Sequence, residues 1–179
     1  MLAPEEIGPF FILLAVAGND TTRTATSHGM HLLLAVPRPA RRPGQGDLAG
    51  TTATAVDEIV RMASPVTFMR RTVTHDLTLS DQQFAEGDKM ILFYGAANRD
   101  PRAFDEPERF DVHRTPTRTS ASAGPARTSA LGAHLARREL SVAFGQLLTR
   151  LPDIEVAGEP VLLDALGVPL VGGIKRLLL

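Results

Sequence analysis

The stretch NRDPRAFDEPERFD (Asn98–Asp111) is made of turn formers and charges, with Phe104 and Phe110 embedded in it. That mixture predicts a segment with neither helix nor strand that is nonetheless packed. Upstream, DEIVR (Asp57–Arg61) puts Glu58 and Arg61 at i and i+3, on one helix face. Taken alone this is a surface pair contributing a few tenths of a kcal/mol. A second Arg from the quoted stretch would complete a Glu–Arg–Arg cluster with it.

Working outward, residues 1–35 are dominated by a helix over residues 4–35. It opens with Pro4, Glu5 and Glu6, which suit a first turn. Pro9 allows a start at or after that residue. Apolar side chains then recur on nearly all faces, so the helix is expected to be central and buried. AGNDTT (Ala17–Thr22) interrupts it with a Gly, an acid and two hydroxyls. Two readings stay open there. One is a kink with hydroxyls bonded back to i−4 carbonyls. The other is a groove admitting a ligand beside an acid–alcohol pair. Residues 36–50 read as a loop, and residues 51–63 as a helix with a Thr cap.

Residues 66–114 hold short strands, TFMRRTVTHDLTL and KMILFYGA with a turn at AEGD, and then the quoted stretch. Residues 115–130 are rich in Thr, Ser, Ala, Gly, Pro and Arg and read as disordered. Residues 131–151 form a second long helix, and 152–179 short strands and turns. The whole is one partial domain, 1–179, of the mainly α class with small β-sheets.

Composition narrows the function. The 179 residues carry a net charge of −1, which gives no case for binding nucleic acid. Cysteine is absent, which excludes disulfides, thiolate metal sites and cysteine nucleophiles. The apolar run FFILLAVAG (Phe10–Gly18) follows two acids rather than basic residues, so it is not read as a signal peptide. It is also about half the ~20 residues of a membrane span. A cytoplasmic protein is expected.

In order and spacing, AGNDTT, DEIVR, MRRTVTHD, ANRDPRAFDEPERFD, LGAHLARREL and GIKRL together resemble the C-terminal half of a bacterial haem-thiolate monooxygenase of the cytochrome P450 family. The likeness is nearest to actinobacterial members acting on fatty or sterol-like substrates. It implies that the first helix crosses the distal face of a haem, with Asp20 and Thr21 as a proton relay. It implies a structural Glu58–Arg61 pair with Arg109 as third member, and Arg71 as a haem-propionate ligand. It also implies haem, dioxygen and a ferredoxin-type redox partner.

The sequence departs from the family in two ways. It begins just before the central helix, so the family's N-terminal half is expected to be missing. The family's Phe-Gly loop ending in His-x-Cys-x-Gly is also altered, and Ala130 stands where the Cys ligand belongs. In GC-rich codons, a family-type loop N-P-H-V-G-F-G-G-P-G-P-H-F-C read one base off translates as T-R-T-S-A-S-A-G-P-A-R-T-S-A. That is Thr117–Ala130 residue for residue. PRPARR (Pro37–Arg42) is close to an off-frame H-P-D-Q-R-A. A frameshifted loop between compensating indels is the expectation, and the coding DNA decides it. His28, His31, His113 and His134 are weak substitutes as iron ligands. The chain is therefore expected to be a catalytically inactive family fragment. The alternative is a non-enzymatic helical remnant or interaction protein without haem.

Overall fold

A computed structural model describes residues 2–35, 48–115, 117, 132–163 and 172–179. Helix α1 (Pro4–Ala35) starts where its acids and proline place it. Glu6 reaches back to accept the Ala3 N–H at 2.8 Å, the reciprocal half of a capping box. Pro9 does not delay the start. It sits inside the helix, early enough that the missing N–H frees only the carbonyl four residues before it.

The burial expected all round α1 holds for its C-terminal half only. Thr24, Ala25, Gly29, Met30 and Leu33 are buried. Residues 4–19 are exposed, with Phe11 at 70% and Ile12 and Leu13 at 63%. The reason is geometric. Helices α2 (Leu48–Ala63) and α4 (Ala133–Arg150) pack on the later turns of α1, and no described residue covers the earlier ones.

The core is the junction of these three helices: Ala25, Met30 and Leu33, Val56 and Ile59, Leu140 and Phe144. Gly29 is its tightest point. A Cβ there would collide with the Phe144 ring and lie 3.0 Å from Ile59 Cγ2, so only glycine lets α1 approach this closely. Helix α2 begins at Leu48, three residues ahead of the expected Thr51 cap. Helix α4 runs over most of its expected span.

The short strands expected after α2 form, with TFMRRTVTHDLTL divided between two of them. Strand β1 (Phe68–Thr72) pairs antiparallel with β4 (Lys89–Phe93), with Arg71 opposite Met90. Between them lies a small hairpin, β2 (Leu77–Leu79) with β3 (Gln82–Phe84). Ser80 and Asp81, at φ 48° and 64°, form its two-residue turn, which matches the twist of the flanking strands. The turn at Ala85–Asp88 forms as read: Asp88 Oδ2 accepts the Ala85 N–H at 2.9 Å. Tyr94–Ala97 is a one-turn helix, α3, rather than the end of a strand.

After Asn98 the chain is irregular to Arg114, as read. Strands β5 (Val161–Leu162) and β6 (Ile174–Arg176) pair near the C-terminus. Thr24 of α1 donates to the Gly172 carbonyl at 2.8 Å and ties this region to the helix core. The expected frameshifted stretches, Thr117–Ala130 for the most part and Pro37–Arg42 entirely, lie outside the described residues, Ala130 included. Among the described residues, no helix is long and apolar enough to cross a membrane.

Candidate functional site

Glu58 and Arg61 are not a surface pair. Both side chains are fully buried, and the guanidinium grips the carboxylate bidentately: Nε to Oε2 at 2.7 Å and Nη2 to Oε1 at 2.8 Å. Two residues whose neighbours Val56 and Ile59 face the core carry their charges in under the Asn98–Arg114 segment. Arg61 Nη1 donates to the carbonyls of Asn98 (2.8 Å) and Pro107 (2.7 Å), and Nη2 also donates to that of Arg109 (3.1 Å). All five N–H donors of the guanidinium thus have an acceptor. Its face lies 5.1 Å over the Phe104 ring. A buried charge is tolerated only when paired and hydrogen-bonded to this degree.

Glu58 Oε1 also accepts the Asp111 N–H at 3.0 Å and Arg114 Nε at 3.1 Å. The third charged member of the cluster is therefore Arg114, not Arg109. Arg109 contributes its backbone carbonyl, while its side chain turns outward to Glu106 at 2.7 Å, with both partners well exposed. Sequence spacing could not separate the two arginines, because each follows an acid by three residues. The remaining donors of Arg114 go to the carbonyls of Asp105, Glu106 and Arg109. Arg99 closes the end of α2, donating to the Met62 carbonyl at 2.7 Å. Asn98 is buried and donates to Ser64 Oγ at 2.9 Å. With all five donors of Arg61 and both oxygens of Glu58 engaged, the pair serves to hold chain segments together.

The other predicted residues sit on separate elements. Thr21 bonds back to the Ala17 carbonyl at 2.6 Å, the i−4 geometry of the first reading of AGNDTT. Asp20 pairs with Arg23 at 3.1 Å, with side-chain exposures of 42% and 74%. Arg71 is exposed on β1, its Nη1 on the Arg70 carbonyl at 3.1 Å. His113 and His134 are exposed. Among the described residues, no three His, Asp or Glu converge on a position that could hold a metal.

His28 lies part-buried on α1. Burial, helped by His31 and Arg99, holds its ring below the usual 6.5. An unfolded chain protonates this ring near 6.5, while the folded chain resists until lower pH. The contribution is present in full above that value and is lost as pH falls below it. The urea midpoint should therefore drop between about pH 7.5 and about pH 5.5, and His28→Gln should flatten that drop.

The family model described as Cytochrome P450 matches residues 51–152, more than half of the chain. The methyl-branched lipid omega-hydroxylase of Mycobacterium tuberculosis is 46% identical over 159 residues, which is 89% of this chain and 37% of that protein. The steroid C26-monooxygenase of Rhodococcus jostii is 42% identical over 161 residues, 89% of this chain and 33% of that protein. Among solved structures, Mycobacterium marinum cytochrome P450 CYP268A2 in complex with pseudoionone superposes with a TM-score of 0.85 at 40% identity. That match covers 98% of this chain and 41% of the other. CYP109E1 from Bacillus megaterium in complex with testosterone gives 0.86 at 30% identity over 99% of this chain and 48% of that one. The chain thus spans less than half the length of these relatives. Sequence match and fold agree across nearly all of it, and the chain belongs to the cytochrome P450 family.

Proposed function

We propose that this chain is a non-catalytic member of the family, keeping the charge-locked scaffold and lacking the chemistry. Cytochromes P450 carry haem on a cysteine thiolate, whose electron donation favours O–O cleavage. The residues present here do not fit that group. The observation that carries the reading is that none of the 179 residues is a cysteine, so this chain supplies no thiolate at Ala130 or anywhere else. Arg71, the propionate ligand implied by resemblance, is turned to a neighbouring carbonyl.

The ancestral activity we infer is insertion of one oxygen atom into an apolar C–H bond, with electrons from a ferredoxin-type partner. The names of the methyl-branched lipid and steroid hydroxylases support a lipid or sterol-like substrate. Asp20 and Thr21 are the remnant of its proton relay in this reading. The test is a haemin titration of the purified chain, followed by reduction and carbon monoxide. No thiolate-type absorption band is expected; its appearance would overturn the proposal. A second reading, a haem-free interaction protein, is favoured by the exposed apolar turns of α1.

A further inference from the structure

Helix α1 carries a row of hydroxyls after Asp20, and several of them bond within the helix. Thr21 donates to the Ala17 carbonyl at 2.6 Å, Thr26 to that of Thr22 at 2.8 Å and Ser27 to that of Thr24 at 3.0 Å. Thr24 departs from this pattern. Its own turn offers the Asp20 carbonyl at i−4, the usual acceptor for a helical hydroxyl. It donates instead to the Gly172 carbonyl at 2.8 Å, 148 positions further along the chain. Thr24 is buried, so packing rather than water sets this choice of acceptor.

Gly172 is held from its other side as well. Its N–H donates to the Pro65 carbonyl at 3.1 Å. Pro65 follows Ser64, a buried residue at φ 40°. The Ser64 hydroxyl bonds the Arg61 carbonyl and receives the Asn98 amide, so the Pro65 carbonyl stands on a fixed post. A Cβ on Gly172 would lie 3.6 Å from the Thr67 methyl, and one on Gly173 3.4 Å from Thr24 Oγ1. The next residue closes the hairpin on itself: Gly173 accepts the Leu163 N–H at 2.8 Å. Gly172 thus commits both backbone polar groups outside its hairpin, one to α1 and one to the link from α2 to β1.

We propose that Thr24 and Gly172 form a two-position clasp, closed when the hydroxyl holds the Gly172 carbonyl and open when it turns back to Asp20. The closed position seats the β5–β6 hairpin against α1 and the α2–β1 link together. Opening costs little at the helix, because the hydroxyl exchanges one carbonyl for another and threonine has two accessible χ1 rotamers there. At Gly172, which is half-buried, the released carbonyl can turn to water. The residue then keeps one anchor of two, and its bond to Pro65 loses the constraint that aligned it. The two bonds therefore open together, and the hairpin moves as a unit smaller than the whole fold. The acceptor taken up in the open position belongs to Asp20, so the clasp couples the hairpin to the turn bearing Asp20 and Thr21. The clasp needs no haem and is independent of the non-catalytic reading.

Amide hydrogen exchange of the full chain, resolved by residue with NMR, tests the clasp. In the wild type, the Gly172 and Leu163 N–H groups should exchange through one shared opening, faster than those of Leu140 and Phe144 in the helix core. Thr24→Val keeps the shape and removes the hydroxyl. It should speed exchange at Gly172 by roughly tenfold, the scale of one lost hydrogen bond. The bond from that N–H to Pro65 is not itself altered, so the acceleration reads the coupling. Core amides should change by less. Thr24→Ser retains the hydroxyl and should restore the wild-type rates. Should Thr24→Val fail to fold, Gly173→Ala takes its place: the added methyl presses on Thr24 Oγ1 and should speed exchange at Gly172 in the same direction. Equal acceleration at Gly172 and in the core would overturn the proposal. So would an unmoved Gly172 amide in the folded variant, or no restoration by Thr24→Ser.

Discussion

Arg61→Met is expected to cost about 3–5 kcal/mol, the loss typical of removing one partner from a buried ion pair. That is a large part of a total stability of roughly 5–15 kcal/mol. The methionine fills much of the same space, so the loss is electrostatic rather than a cavity effect. Glu58 would keep only Arg114 and the Asp111 N–H, and the carbonyls of Asn98, Pro107 and Arg109 would lose their donor. Urea unfolding followed by circular dichroism measures the cost. Arg61→Lys should recover only part of it, because three donors on a point charge cannot serve the same set of acceptors. Arg109→Ala should leave the midpoint almost unmoved, since its side chain holds only an exposed pair with Glu106. A large loss at Arg109 with a small one at Arg61 would refute the assignment of roles.

Phe144→Ala should cost about 3–5 kcal/mol, as expected for emptying a buried aromatic position. Phe144 is 1% exposed and lies in the α1–α2–α4 core, its ring against Gly29. The contact makes a second expectation conditional on the first. Gly29→Ala alone should destabilise by about 1–3 kcal/mol through overpacking. In the Phe144→Ala background the same change meets no ring. Ile59 Cγ2 still lies 3.0 Å away, so the loss should shrink rather than vanish, helped by the preference of about 1 kcal/mol for Ala over Gly within a helix. A double-mutant cycle measures the coupling. Additive losses would show that Gly29 is constrained by something other than Phe144.

Much of this arrangement could be read from local chemistry. Pro4, Glu5 and Glu6 point to the first turn that α1 has, because a helix terminus is decided by its own first turn, although Pro9 left a later start open. The irregular, packed character of Asn98–Arg114 follows from its prolines, acids and embedded phenylalanines. What escaped the sequence depends on distant partners. Nothing near Arg109 and Arg114 says which guanidinium turns inward, because Glu58 is more than fifty residues away. The apolar turns of α1 read as buried, but burial needs a neighbour, and a helix cannot report whether one exists. The strand break after Thr72 was hidden by a continuous run of β-formers, whose pairing is settled by the hairpin turn at Ser80–Asp81. The expected change at Ala130 is of another kind: it is legible in the sequence and lies outside the described residues.

One guanidinium holds backbone carbonyls at 98, 107 and 109, and its carboxylate partner holds the chain again at 111 and 114. The segment between α3 and Arg114 has almost no regular structure of its own to fall back on. Its order therefore leans on one buried pair more than on any other contact, with Arg99 on the Met62 carbonyl, Asn98 on Ser64 and the packed Phe104 and Phe110 as lesser ties. A protease or an exchanging amide should meet this stretch in one of two conditions, wholly closed or wholly open, with opening set by escape of the Arg61–Glu58 pair. A region that looks like a succession of loose turns would then behave as one cooperative unit.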